Sequence, residues 1–246
     1  MVLIKTRQFL LLIAIVLSIG LEVYSQPPSK KEKNAFRSEV IRTVMQRAIK
    51  NHYNSPSLDD AYSATLWKNF ILKLDPNKTT FLESDITRLA KYKQDLDDQL
   101  KEGSTLFFDS VYATYLLRMN ENQEIAEKIL SQPVNLTGKD EFRFRDAADF
   151  SFPVNRADKE NVWKNYLRYS VLKKYVELRT IQDSLLQKGI VDKETESKAR
   201  NAVIKALSEQ NRKLSKAGAE DDYFAFYLNN ALNVFDPHSA YRGPID

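Results

Sequence analysis

Residues 57–76 read SLDDAYSATLWKNFILKLDP. Leu58, Tyr62, Leu66 and Phe70 stand four apart, so in an α-helix they lie one above the other on a single face. Ser57 is the predicted N-cap, and Asp60 three residues on makes a variant of the capping box. Asp75-Pro76 is the predicted stop. Proline disfavours the α conformation in the residue before it, and an aspartate there can bond the amides of its own turn.

The same spacing recurs along the chain. Phe107, Val111, Tyr115, Ile125 and Ile129 stripe residues 104–132, and Trp163, Leu167, Val171, Leu178, Ile181 and Leu185 stripe a longer helix, interrupted at Lys174, that Gly189 is expected to end as a left-handed cap. Phe224, Tyr227, Leu228, Ala231 and Phe235 mark the last helix, with Glu220, Asp221 and Asp222 on its first turn, where the helix dipole favours negative charge. Residues 34–53, 84–102 and 192–215 are less sharply striped but free of internal breakers. Gly103, Gly138, Gly189, Gly218 and Gly243 fall between these stretches, as do Pro56, Pro76, Pro133, Pro153 and Pro237. The fold class is therefore all-α, a multi-helix bundle of about seven to eight helices. One region departs from it: Glu141-Phe142-Arg143-Phe144-Arg145 alternates as a strand does. Residues 133–153 read as an extended connector between a first helical subdomain at 26–132 and a second at 154–246.

Composition narrows the function classes. The chain has 246 residues, 43% apolar and 11% aromatic, enough for a sizeable core. Residues 9–21 form one continuous apolar run, shorter than the roughly 20 residues of a spanning helix. Lys5 and Arg7 precede it, and Ser25 offers a small residue at a plausible cleavage position, so residues 1–25 read as an export signal, with an uncleaved anchor as the alternative. Removing Lys5, Arg7 and Glu22 from 37 basic and 33 acidic side chains leaves a mature charge of +3. That excess is too slight to imply nucleic acid, which calls for a concentrated basic face. The expected compartment is outside the cytoplasm. The absence of cysteine excludes disulfides, thiolate metal sites, cysteine nucleophiles and acylation at a signal cysteine.

The search for reactive groups yields little. His52 and His238 are too far apart in sequence to form a ligand pair of zinc-site spacing. Asp95-Leu96-Asp97-Asp98 and Glu220-Asp221-Asp222 lack the spaced oxygens and central glycine of a calcium loop and read as solvated helix faces. No glycine-rich phosphate loop occurs, so no nucleotide cofactor is expected. Ser170-Val171-Leu172-Lys173 fits Ser-x-x-Lys, a pattern in which a lysine activates a serine, but no companion motif accompanies it. Trp163, Tyr166, Tyr169 and Tyr175 interleave with Lys164, Arg168, Lys173 and Lys174. Helical geometry divides that series between a buried and a solvated face, which argues against a stacking platform for single strands. No catalytic, cofactor-binding or metal-ligating residue is named.

Two Asp-Pro stops carry a resemblance. Leu58 to Ser63, then Leu74-Asp75-Pro76 with Phe81 to Ile86, then Leu96 to Gly103, resemble the N-terminal domain of the tail-specific proteases. Phe235-Asp236-Pro237-His238-Ser239-Ala240-Tyr241 resembles the Asp-Pro-His-Ser/Thr-x-Tyr signature that C-terminal processing peptidases carry ahead of their PDZ domain. The resemblance runs from about residue 36 to the end. It implies a periplasmic serine protease that recognises apolar C-terminal tails through a PDZ domain and cleaves with a serine/lysine dyad. The chain stops at Asp246, so the PDZ and peptidase domains are expected to be missing, and Ser170 and Lys173 do not correspond to the dyad. In the family the N-terminal domain packs around the protease body and can offer surface to helical adaptor lipoproteins.

Two readings stay open at this level. In the first, the chain is the helical accessory portion of such a protease, inactive alone, with the PDZ and peptidase domains, protein substrates and an adaptor lipoprotein as partners. In the second, it is a freestanding periplasmic helical adaptor or binding module.

Overall fold

The computed structural model describes residues 29–51, 57–137, 151–179 and 191–243. Among them are eight α-helices and one 3₁₀ turn, with no strand. The predicted export signal, the alternating segment 141–145 and the Gly189 stop lie outside the described residues.

Helix α1 (Lys30–Asn51) opens on a reciprocal cap: the Ser29 hydroxyl accepts the Glu32 N–H at 3.3 Å, and the Glu32 carboxylate accepts the Ser29 N–H at 2.8 Å. Helix α2 (Asp60–Leu74) buries Tyr62, Leu66 and Phe70 as the spacing requires. Its cap is Asp59 rather than Ser57. The Asp59 carboxylate, a stronger acceptor than a hydroxyl, takes the Tyr62 N–H at 2.9 Å, and Ser57 donates to that carboxylate in turn.

The expected continuous helix at 84–102 is broken into α3 (Glu83–Leu89), a 3₁₀ turn (Ala90–Tyr92) and α4 (Leu96–Glu102). A continuing helix would send the Lys93 N–H to the Leu89 carbonyl. The Trp67 indole takes that carbonyl at 2.9 Å instead, and Lys93 bonds Ala90 at 3.0 Å. Gly103 ends α4 at φ +74°, and a Cβ there would lie 2.5 Å from the Ser38 carbonyl of α1, so both backbone conformation and space call for glycine.

Helix α5 (Leu106–Leu130) has 25 residues, about 37 Å at the usual rise, and serves two apolar clusters. Its first half puts Phe107, Phe108, Val111, Tyr112 and Tyr115 into a large aromatic core with α2 and α8 (Ala219–Phe235). In that core Phe70 meets Tyr227 edge-on at 5.2 Å, and Phe108 meets Phe224 at 5.4 Å. Its second half gives Ile125, Ala126 and Leu130 to a smaller core with α6 (Arg156–Arg179) and α7 (Lys193–Leu214).

Helix α6 buries Lys159, Trp163, Leu167, Val171, Tyr175 and Arg179, every fourth residue without a gap. The predicted stripe is therefore right through Val171 and fails at Leu178, while Ile181 and Leu185 lie outside the described residues. Leu178 is 43% exposed, because a strict four-residue repeat carries the buried line through Tyr175 to Arg179. The acidic runs are likewise not simply solvated. Asp97 is buried, accepting the Ser63 hydroxyl at 2.7 Å and Lys101 at 2.7 Å. Glu220 and Asp221 pair with Arg37 at 2.8 and 2.6 Å. Arg37 itself is 2% exposed between the Phe108 and Phe224 rings, and it ties α1 to the positive end of α8.

Candidate functional site

The Ser-x-x-Lys match falls on α6. Ser170 donates its hydroxyl to the Tyr166 carbonyl at 2.8 Å, the backward bond that helix-interior serines make, and Lys173 stands exposed on the next turn. Of the aromatic series on the same helix, Trp163 and Tyr175 are buried and Tyr166 and Tyr169 half-buried. His238 is exposed beside Asp236, and His52 lies outside the described residues. Among the described residues no group of three or more histidine, cysteine or carboxylate side chains is placed to hold a metal ion.

The structure concentrates its polar architecture at the Asp75-Pro76 stop. Helix α2 closes with the Asp75 N–H on the Ile71 carbonyl at 3.0 Å, Pro76 projects to the surface, and Lys78 reverses the chain at φ +49°. The Asp75 carboxylate, 2% exposed, holds this reversal. It accepts the Thr79 N–H at 2.8 Å on Oδ1, and the Thr80 and Phe81 N–H groups at 2.8 and 3.0 Å on Oδ2. Burial pushes this carboxyl above the usual aspartate range, although the three amides and Lys159 pull the other way. Helix α6 is fastened on top, the Trp163 indole donating to the Thr79 carbonyl at 2.9 Å. The arriving chain is fastened as well, through the Glu83 N–H to the Pro153 carbonyl at 2.9 Å.

Beside the turn runs a row of alternating charges. Asp85 accepts Arg118 at 2.7 and 3.1 Å and Arg88 at 3.2 Å, Arg118 also reaches Glu121 at 2.9 Å, and Glu121 accepts Lys159 at 3.0 Å. Burial alone would raise the Asp85 carboxyl, but the Arg118 bonds, the Leu82 N–H and Arg88 outweigh it and hold the group low. Burial pushes Lys159, wholly inaccessible, below the ordinary lysine value against the pull of Glu121. Its ammonium is committed to an ion pair in the seam between α5 and α6.

Where the turn, α5, α6 and α7 converge, a cleft of about 200 Å³ remains. Leu74, Tyr115, Met119 and Leu207 give it apolar walls, and Asn77, Asn122, Gln123, Gln210 and Asn211 give it carboxamides. Asn122 is 2% exposed, and its Oδ1 finds no hydrogen-bond partner among the described residues. Among the described residues no lysine or arginine lines the cleft.

The second stop is built more lightly. Asp236 accepts the His238 N–H at 3.0 Å and the Ser239 hydroxyl at 3.2 Å. The segment then returns to α8, where the Asn229 carboxamide accepts the Tyr241 N–H at 2.7 Å and donates to the Tyr241 carbonyl at 3.1 Å.

Sequence inspection reached both aspartates but missed Lys159, Glu121 and Asn122. Lys159 had a usable signal, since it stands four before Trp163 on the stripe that continues through Leu167 and Val171. Asn122 had none, because its neighbours Thr80 and Trp163 come from distant segments.

Residues 44–244, from within α1 to just past the second stop, match the family model of the tail specific protease N-terminal domain. The tail-specific protease of Haemophilus influenzae is 28% identical over 200 residues, covering 80% of this chain and 26% of that protein. The chain thus spans about a quarter of the length of this curated relative. With the family match extending over the end of α1, the seven helices from α2 to α8 and both Asp-Pro turns, the chain belongs to the tail-specific protease N-terminal domain family.

Proposed function

We propose that this chain acts as the helical accessory and scaffold part of a periplasmic serine protease that processes or degrades proteins from their C-termini, contributing no hydrolytic group of its own. The observation that carries this reading is the family match across residues 44–244. It is supported by Ser170, the one serine in a dyad-like pattern, whose hydroxyl is spent on its own helix. Its partners on this reading are the PDZ and peptidase domains of the parent enzyme, its protein substrates and a helical adaptor lipoprotein. Residues 1–25 serve as the export signal, and 133–153 connects the helical subdomains 26–132 and 154–246.

Incubating the purified chain with an unstructured, apolar-tailed polypeptide tests the reading. No cleavage is expected, and Ser170→Ala changes nothing. Cleavage that Ser170→Ala abolishes would overturn it. Supplying the chain to a tail-specific protease body that lacks its own N-terminal domain is expected to give co-elution and faster cleavage. A dye-silent monomer that leaves the protease body unaffected would instead favour the freestanding module. The mass of the native product in a periplasmic extract checks the compartment and the cleavage after Ser25 together.

A further inference from the structure

We infer that the cleft beside the Asp75-Pro76 turn is a binding site for an uncharged, extended stretch of polypeptide backbone. The inference goes beyond the accessory role above and does not depend on it.

Three observations carry it. The cleft holds about 200 Å³, below the roughly 300–1,000 Å³ of drug-sized pockets, which suits one or two residues of a chain passing through rather than a compact cofactor. Five of its polar lining residues are carboxamides, beside Thr79, Thr80 and an Asp75 carboxylate already engaged by three backbone amides, and a carboxamide offers a donor and an acceptor side by side, the complement of a peptide's own C=O and N–H. The molecule already uses this pairing: Asn229 holds the N–H and the C=O of Tyr241 together, at 2.7 and 3.1 Å. At the floor, the buried Asn122 Oδ1 lacks a donor, a group that native structures rarely leave unpaired. At the mouth, Gln210 and Asn77 are exposed, and their carboxamides make no hydrogen bond among the described residues.

The lining also excludes other ligands. Among the described residues no lysine or arginine faces it, so the cleft offers no cation to a phosphate or a terminal carboxylate and suits the interior of a chain rather than its end. A sugar would need an open aromatic face. Trp163 and Tyr115 are 5% and 6% exposed, the Trp163 indole N–H is spent on the Thr79 carbonyl, and the half-buried Tyr166 ring packs edge-on to Trp163 at 5.5 Å. Met119 and Leu207 give an apolar side chain of the bound segment a surface to rest on.

The test is a titration of the ¹⁵N-labelled chain with a ten-residue uncharged peptide of alternating leucine and asparagine, acetylated and amidated at its ends. The expected result is saturable shifts of the Trp163 indole and of the Asn77, Asn122 and Gln210 carboxamide signals. The same peptide with a free C-terminal carboxylate is expected to bind equally well. Gln210→Ala, an exposed change that leaves the fold alone, is expected to weaken binding several-fold, and Asn122→Ala about tenfold. Absence of saturable shifts at these groups, or shifts that Gln210→Ala leaves untouched, would overturn the inference. So would a free-carboxylate peptide binding tenfold tighter, or N-acetylglucosamine moving the same signals where the peptide does not. Because the readout is binding to this chain alone, its outcome is separate from whether the chain assists a protease.

Discussion

Asp75-Pro76 and Asp236-Pro237 end helices α2 and α8 with the same two residues after similar apolar runs, yet they are different objects. The helices run antiparallel, since Tyr62 at the start of α2 meets Phe235 at the end of α8 at 4.8 Å and Phe70 further along α2 meets Tyr227. Both aspartates close their helix alike, on Ile71 and on Leu232 at 3.0 Å each. The contrast begins with what covers them. Asp75 lies under α5 and α6, and its carboxylate has replaced water with three backbone amides. Asp236 is half-buried and holds groups within its own next three residues. The same dipeptide is a buried structural node in one place and a half-buried turn in the other, and the elements that decide between them come from more than 30 residues away.

The largest expected effect is at the node. Asp75→Ala removes the acceptor for three buried amides and should cost about 3 kcal/mol in urea unfolding, whereas Asp236→Ala should cost less than about 1 kcal/mol, because water reaches its partners. Equal losses at the two positions would erase the distinction.

The pH dependence sharpens it further by comparing Asp75 with its neighbour Asp85. A carboxyl raised by folding stabilises the native state below its unfolded pKa, here 3.8, and loses that contribution as pH climbs through the raised value. A carboxyl lowered by folding does the reverse, stabilising above 3.8 and losing the contribution as pH falls through the lowered value. The stability deficit of Asp75→Asn should therefore shrink as pH rises above about 4, and that of Asp85→Asn should shrink as pH falls below it. Parallel slopes from urea melts between pH 3 and 7 would contradict the opposite environments of these two groups.

Smaller effects separate the ways in which the two turns are held. Trp163→Phe keeps an aromatic ring but loses the indole bond to the Thr79 carbonyl and part of the buried ring volume, and should cost about 2 kcal/mol. Asn229→Ala should leave global stability within about 0.5 kcal/mol while speeding amide exchange at Tyr241 about tenfold, the signature of a local opening. If Asn229→Ala instead lowered the global midpoint as much as Asp75→Ala, the second stop would be a node too.

Much of the fold was legible because helical periodicity is a local property. The stripes through Leu66, Val111, Leu167 and Leu228 all lie in helices and all face a core. The misreadings share one physical cause: a distant side chain altered a local outcome. Trp67 took the Leu89 carbonyl and broke a helix that has no breaker in its sequence. Ser63 drew Asp97 out of solvent, and Arg37 did the same for one edge of the acidic turn on α8. On α6 the stripe was lost at Leu178, where an arginine rather than a leucine occupies the buried line. Of the candidate site, the sequence marked Asp75 as a turn former and placed Lys159 on the buried line of α6, but offered no sign that Asn122 would gather around the turn.

What the sequence determined by itself is the helical class, the places where the chain must turn and the family to which it belongs. Those follow from the spacing of apolar residues, from proline's missing amide and fixed φ, and from two Asp-Pro motifs in order. Only the tertiary structure decided which helices share a core, with α5 serving two and α8 returning to the first. It also decided which aspartate is buried and where a carboxamide-lined cleft is left open. Burial, and with it the strength of every charge and hydrogen bond, is set by what packs from outside the segment, so identical dipeptides acquire different chemistry.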